Sequence, residues 1–167
     1  MDLWHKGELN DIVDPERERR LKEYLECIVR ACSLETSSDP NNWTPENPLY
    51  GHCAVVALLV QEEFGGKLLR ASLENVGGYE QMRSHYWNLL PIGAEVDLTA
   101  GQFRGSDRDL VPKGETFKKT REGKETITRE SLLDYEPTYE RYKLLREKVV
   151  EEQKMKLWEM LGEDFDV

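Results

Sequence analysis

Cys53, His85 and Asp97 follow one another in the order cysteine, imidazole, carboxylate. A cysteine nucleophile needs a thiolate, a proton acceptor beside it and a group that holds the acceptor in place. Cys53 closes the loop Asn47-Pro48-Leu49-Tyr50-Gly51-His52 and opens the apolar run Ala54 to Val60. A thiol at such a loop-to-helix junction sits at the positive end of the helix dipole, a setting that favours thiolates. In this reading His85 takes the thiol proton and returns it to a leaving group, while Asp97 fixes the imidazole tautomer from the other ring nitrogen. The Cys53 N–H, in the first helical turn, faces a developing oxyanion. Asn47 is a candidate side-chain donor to the same oxyanion. Trp87 and Gln102 are candidate pocket or supporting residues, Asn88 a rival orienter of His85 or a tie within the hairpin, and His52 an imidazole that competes with His85 or tunes the thiol.

Each residue also has a purely structural reading. A cysteine before an apolar helix is a common core filler, a histidine between aromatic residues is commonly a packed, hydrogen-bonded one, and Asp97 also suits the end of a strand. Zinc ligation by Cys53, His85, Asp97 and His52 is the rival chemistry. It lacks support, because the chain has no Cys-x-x-Cys or similar chelating pair. No metal and no cofactor is expected.

The elements that must position these residues can be read from pattern. Asp14-Pro15 reads as an N-cap with proline at the first helical position. Leu21, Tyr24, Leu25, Ile28, Val29 and Cys32 repeat at three and four, so a helix is predicted to about Cys32. Glu35 to Tyr50, with three prolines, reads as a long loop anchored by Trp43. A second helix, apolar all round and therefore buried, is predicted from His52 or Cys53 to Phe64, stopped by Gly65-Gly66. Lys67 to Leu73 reads as a strand. Gln81 to Leu90 and Glu95 to Leu98 read as a hairpin turning through Pro91-Ile92-Gly93-Ala94. If Leu90 pairs with Ala94, Trp87 lies opposite Asp97 and His85 becomes its diagonal neighbour on one face. A slip of one residue separates them. Phe103 to Gly123 reads as loop and Lys113 to Arg129 as a solvated segment. Thr128 caps a short helix to Tyr135, broken by Pro137. A final helix from about Thr138 carries Tyr139, Tyr142, Leu145 and Val149, then Val150, Leu157, Trp158 and Leu161 on a rotated face.

The expected class is α+β: a cysteine-bearing buried helix on a small antiparallel sheet, flanked by N-terminal and C-terminal amphipathic helices. One domain over residues 1–167 is expected, with 1–13 an arm, 14–33 the first helix, 43–103 the core carrying the site and 128–161 the terminal helices. The chain's 167 residues suffice for one core. A net charge of −10 and a mean hydropathy of −0.69 argue against nucleic-acid binding. No apolar run reaches membrane-spanning length and no secretory leader is evident. Three cysteines without framework spacing fit free thiols in a reducing cytoplasm.

The segments Trp43 to Cys53, Phe64-Gly65-Gly66, Ser84 to Asn88, Asp97-Leu98-Thr99 with Gln102-Phe103, Thr128 to Leu133 and Arg141 to Leu145 resemble the YunG-like family of small uncharacterised prokaryotic proteins. The resemblance covers about Trp43 to Val149, and His52 departs from a glutamine in the family form. The layout is also similar to the transglutaminase-like and papain-like core, which implies a cysteine helix packed on an antiparallel sheet. The expected function is thiol-dependent hydrolysis or acyl transfer of amidase, peptidase or deamidase type, on a peptide, protein or small amide. The alternative is a non-catalytic binding module of the same fold, docking a second copy or another partner through its C-terminal helix.

Overall fold

A computed structural model describes residues 14–74, 82–103 and 124–162. Helix α1 runs Pro15–Ala31. Asp14 caps it, its carboxylate accepting from the Glu16 N–H at 3.1 Å, and Leu21, Leu25 and Ile28 bury one stripe. After a 3₁₀ turn at Leu34–Thr36 the chain wanders to Tyr50. The indole N–H of Trp43 donates within the loop, to the Pro48 carbonyl at 2.9 Å. Leu49, fully packed in the core, is the anchor.

Helix α2, Cys53–Phe64, is buried at every residue from Val55 to Val60. Gly65 and Gly66 stop it with φ of +75° and +89°, and a Cβ on Gly66 would fall 2.1 Å from the Leu89 carbonyl oxygen. Backbone therefore passes directly over backbone here, and only glycine fits.

The chain then forms β1 (Lys67–Ser72), β2 (Ser84–Leu89), β3 (Glu95–Val96) and β4 (Glu125–Ile127). The sheet is antiparallel, in the order β3-β2-β1-β4. Strand β4 falls within the segment read from sequence as solvated. Its three residues on the sheet edge are too few and too polar to show a period. The hairpin has the register considered above: the Leu90 N–H donates to the Ala94 carbonyl at 2.8 Å and Asn88 pairs with Val96. Strand β3 stops at Val96, short of the predicted Leu98.

Helix α3, Arg129–Leu133, is capped by the Thr128 hydroxyl. Helix α4 spans Glu136–Gly162. Pro137 does not break the chain after α3 but sits in the first turn of α4, where a missing N–H costs nothing. Lys156 reaches Glu26 at 2.8 Å and Lys148 reaches Ser33 at 3.0 Å, so α4 runs antiparallel to α1. One core unites α1, α2, α4 and the α2 face of the sheet. This is an α+β arrangement on a small antiparallel sheet. Among the described residues, no helix is long and apolar enough to cross a membrane.

Candidate functional site

Alternation along β2 decides which side chains can meet. Asn88 faces α2, its amide donating to the Ala57 carbonyl at 2.9 Å. His85 and Trp87 therefore occupy the opposite face, where Trp87 packs with Leu69 and Ala71. Asp97 leaves β3 on that same face. His85 Nε2 lies 2.6 Å from Asp97 Oδ2, with both side chains only 1% exposed. The other carboxylate oxygen accepts from the Thr99 N–H at 3.1 Å and hydroxyl at 3.2 Å, so Asp97 is held from both sides. Trp87 stacks on the imidazole at 5.6 Å between centroids and Phe103 meets it edge-on at 4.8 Å.

Cys53 arrives at the first residues of β2. Its sulfur lies 3.9 Å from the Ser84 carbonyl, and its side chain interacts with the imidazole of His85. Burial opposes a charge on His85, but attraction and hydrogen bonding to Asp97, reinforced by Cys53, outweigh it and push its pKa up to about 10. The Asp97 contact therefore favours the protonated imidazole. Among the described residues, no three His, Cys, Asp or Glu side chains are arranged to hold a metal ion.

Cys53 opens onto a cleft of about 840 Å³, bordered also by Gly51, Ala54, Ser84, Tyr86 and Arg141. His85 is 1% exposed and lies behind the thiol rather than on the cleft wall. His52, the N-cap residue of α2, makes no side-chain capping bond. The N–H groups of the first turn therefore gain no partner from the N-cap side chain.

The remaining sequence-derived candidates have other partners. Asn47 donates its amide to the Gln102 carbonyl at 2.9 Å, so its donor is engaged away from any oxyanion. His52 neither touches His85 nor borders the cleft: Nδ1–H donates to the Tyr50 carbonyl at 2.9 Å and Nε2 accepts from the Thr36 hydroxyl at 2.8 Å. Burial pushes its pKa down to about 4, so it is neutral. Asn88 is neither an orienter of His85 nor a hairpin tie, since its amide fastens the sheet to α2. Gln102 accepts from the Gly51 N–H at 3.2 Å, positioning the loop that delivers Cys53, and its buried Nε2 has no partner. Trp87 walls the imidazole and donates to Glu95 at 3.0 Å.

Arg141 is absent from the sequence-derived set. It stands in the first turns of α4 and borders the Cys53 cleft. Nothing in its local sequence separates it from other basic residues of that helix; only the packing of α4 brings it to the site.

No solved structure matches the chain. The curated relative "Uncharacterized protein YunG" of Bacillus subtilis (strain 168) is 29% identical over 82 residues, a stretch covering 49% of this chain and 63% of that protein. The matched part is thus under two thirds of the relative's length. The profile of the YunG protein family matches residues 20–154, from within α1 into the second half of α4, and so takes in Cys53, His85, Asp97 and Arg141. By that match over most of its length, the chain belongs to the YunG protein family.

Proposed function

We propose that the protein is a thiol-dependent hydrolase or acyltransferase acting on an amide, with Cys53 as nucleophile, His85 as acid and base, and Asp97 as orienter. The observation that carries this reading is a buried imidazole bonded to a carboxylate through Nε2 at 2.6 Å, with the Cys53 thiol near enough to interact with the ring. A structural histidine needs hydrogen-bond partners; it does not need a cysteine that opens onto a cleft.

In the proposed reaction the Cys53 thiolate attacks the carbonyl carbon, and the electron pair moves to oxygen. The first-turn N–H groups of α2, that of Cys53 foremost, face the oxyanion. Collapse of the adduct breaks the C–N bond, and the departing nitrogen takes a proton from His85 Nδ1. This leaves a Cys53 thioester and a neutral imidazole. His85 then removes a proton from water, or from an acceptor amine, as its oxygen or nitrogen adds to the thioester carbonyl; the C–S bond breaks, the acyl group leaves as acid or amide, and the thiolate–imidazolium pair is restored. Asp97 keeps the ring aligned throughout. The layout is similar to that of papain-like and transglutaminase-like enzymes, and free buried cysteines fit a reducing cytoplasm.

A second reading, a non-catalytic binding module, draws support from the far end of α4. Leu157, Trp158, Met160 and Leu161 are exposed there, Trp158 at 75%. Alkylation separates the two readings. Cys27 and Cys32 are buried, and burial pushes both thiols up, so they serve as slow internal controls. For an activated nucleophile, iodoacetamide labels Cys53 at pH 7 at least about tenfold faster than either control, and His85→Ala, which removes the imidazolium that stabilises the thiolate, takes away most of that advantage. Equal labelling of the three cysteines, or a rate indifferent to His85→Ala, would refute the catalytic reading and leave the binding module.

A further inference from the structure

The acidic chain lines its cleft with the opposite sign. Among the described residues, three arginines border the cleft, Arg70, Arg83 and Arg141, against two carboxylates, Asp39 and Glu74, in a protein of net charge −10. Two of these groups already have partners. Arg70 donates to Ser84 at 2.9 Å and to Glu125 at 2.6 Å. Asp39 accepts from Asn42 at 2.8 Å and from the Tyr50 hydroxyl at 3.4 Å.

Arg141 differs. Its Nε donates to the Pro137 carbonyl and one terminal nitrogen to the Thr138 hydroxyl, each at 3.1 Å. These two bonds fix the plane of the guanidinium. The remaining nitrogen, Nη1, is buried and has no hydrogen-bond partner among the described residues. A buried, unsatisfied donor on a permanent cation is costly unless something accepts from it. Cys53 shares the cleft with it and is close enough to interact electrostatically. Both residues sit where an elongated ligand would cross from the first turn of α2 to the first turns of α4.

We infer that Arg141 is the anion subsite of the Cys53 cleft, and that the substrate is an amide or peptide bearing a free carboxylate near the scissile carbonyl. The inference rests on the reading of Cys53 as the reactive group. The guanidinium accounts for substrate choice: a carboxylate completes the hydrogen bonding of Nη1, whereas a neutral amide leaves it unsatisfied. Arg141 is a specificity residue here and takes no part in proton transfer.

The test compares two alkylating agents that differ in charge, iodoacetate and iodoacetamide, on the full chain. In the wild type the ratio of their rates at Cys53 exceeds that of a free thiol. In Arg141→Gln the ratio falls about tenfold, the worth of one charge-assisted hydrogen bond, while the iodoacetamide rate holds. A ratio that does not change overturns the inference. So does an equal fall in both rates, which would make Arg141 a tuner of the thiol. If Arg141→Gln does not fold, the unaltered protein decides: glutarate slows labelling by iodoacetamide and its neutral diamide does not, and equal effects overturn the subsite. If Cys53 reacts with neither agent, the nucleophile reading has failed by itself. The melting-temperature shift given by glutarate, against that given by the diamide, then decides the anion subsite: a shift with glutarate alone supports it and equal shifts overturn it.

Discussion

Two buried imidazoles, His52 and His85, differ in what their ring nitrogens touch, and the difference sets their charge. His52 meets a backbone carbonyl and a hydroxyl, neither of which stabilises a cation enough to offset burial, and its pKa is pushed down to about 4. Between pH 6.5 and 4 the unfolded chain therefore takes up a proton that the native state refuses, and stability falls as pH falls. The loss reaches about 3 kcal/mol near pH 4. Glutamine offers the same polarity as the neutral ring, an acceptor for the Thr36 hydroxyl and a donor for the Tyr50 carbonyl, without the titration. His52→Gln should therefore flatten the pH dependence of the melting temperature over that window. Curves that stay parallel to the wild type would show that His52 is not the group responsible. A histidine beside a nucleophile reads from sequence as a participant; its direction depends on where the loop from Leu34 to Tyr50 passes, and no local pattern encodes that.

At the level of elements, the close approach of the α2–β1 turn to β2 is a point of high leverage. A methyl group on Gly66 would meet the Leu89 carbonyl at 2.1 Å, with φ at +89°, so Gly66→Ala should cost at least about 2 kcal/mol. Denaturant unfolding measures this, and a cost within the roughly ±0.5 kcal/mol of ordinary surface changes would show that the turn is free to move. What was legible in the sequence follows the same logic. Helix α2 and the hairpin stand out because Gly65-Gly66 and Pro91 to Gly93 punctuate them, and the turn length alone carries His85 and Asp97 to one face. Strand β4 is illegible because it exists only through pairing with β1. Arg141 is illegible as a site residue because the surface it reaches depends on how α4 packs: Tyr142 bonds Glu62, Arg146 bonds the same carboxylate at 2.8 Å and Arg129 donates to the Leu58 carbonyl at 3.0 Å. These contacts from α2 to α3 and α4 set the helix rotation that brings Arg141 to the cleft.

For the molecule as a whole, the His85–Asp97 pair couples stability to pH in the opposite sense to His52. The native pKa of His85 lies above its unfolded value, pushed up to about 10. Its contribution is complete below about pH 6.5 and is lost as pH rises through the native value, because in that window the folded state holds the extra proton. Asp97→Asn leaves the imidazole buried without its counter-charge, at a cost of about 3 kcal/mol or more. The gap in stability between wild type and Asp97→Asn should be wide at and below about pH 6.5 and narrow steadily towards pH 10. A gap of constant width in chemical denaturation would mean that the pair is not ionic. The stacking of Trp87 on His85 also gives the protein a light source at its site. An imidazolium in contact with an indole quenches its emission and a neutral imidazole does so far less. With the other three tryptophans of the chain replaced by phenylalanine, the brightness of Trp87 therefore reports the charge on His85, so proton movement beside Cys53 can be followed optically without any label.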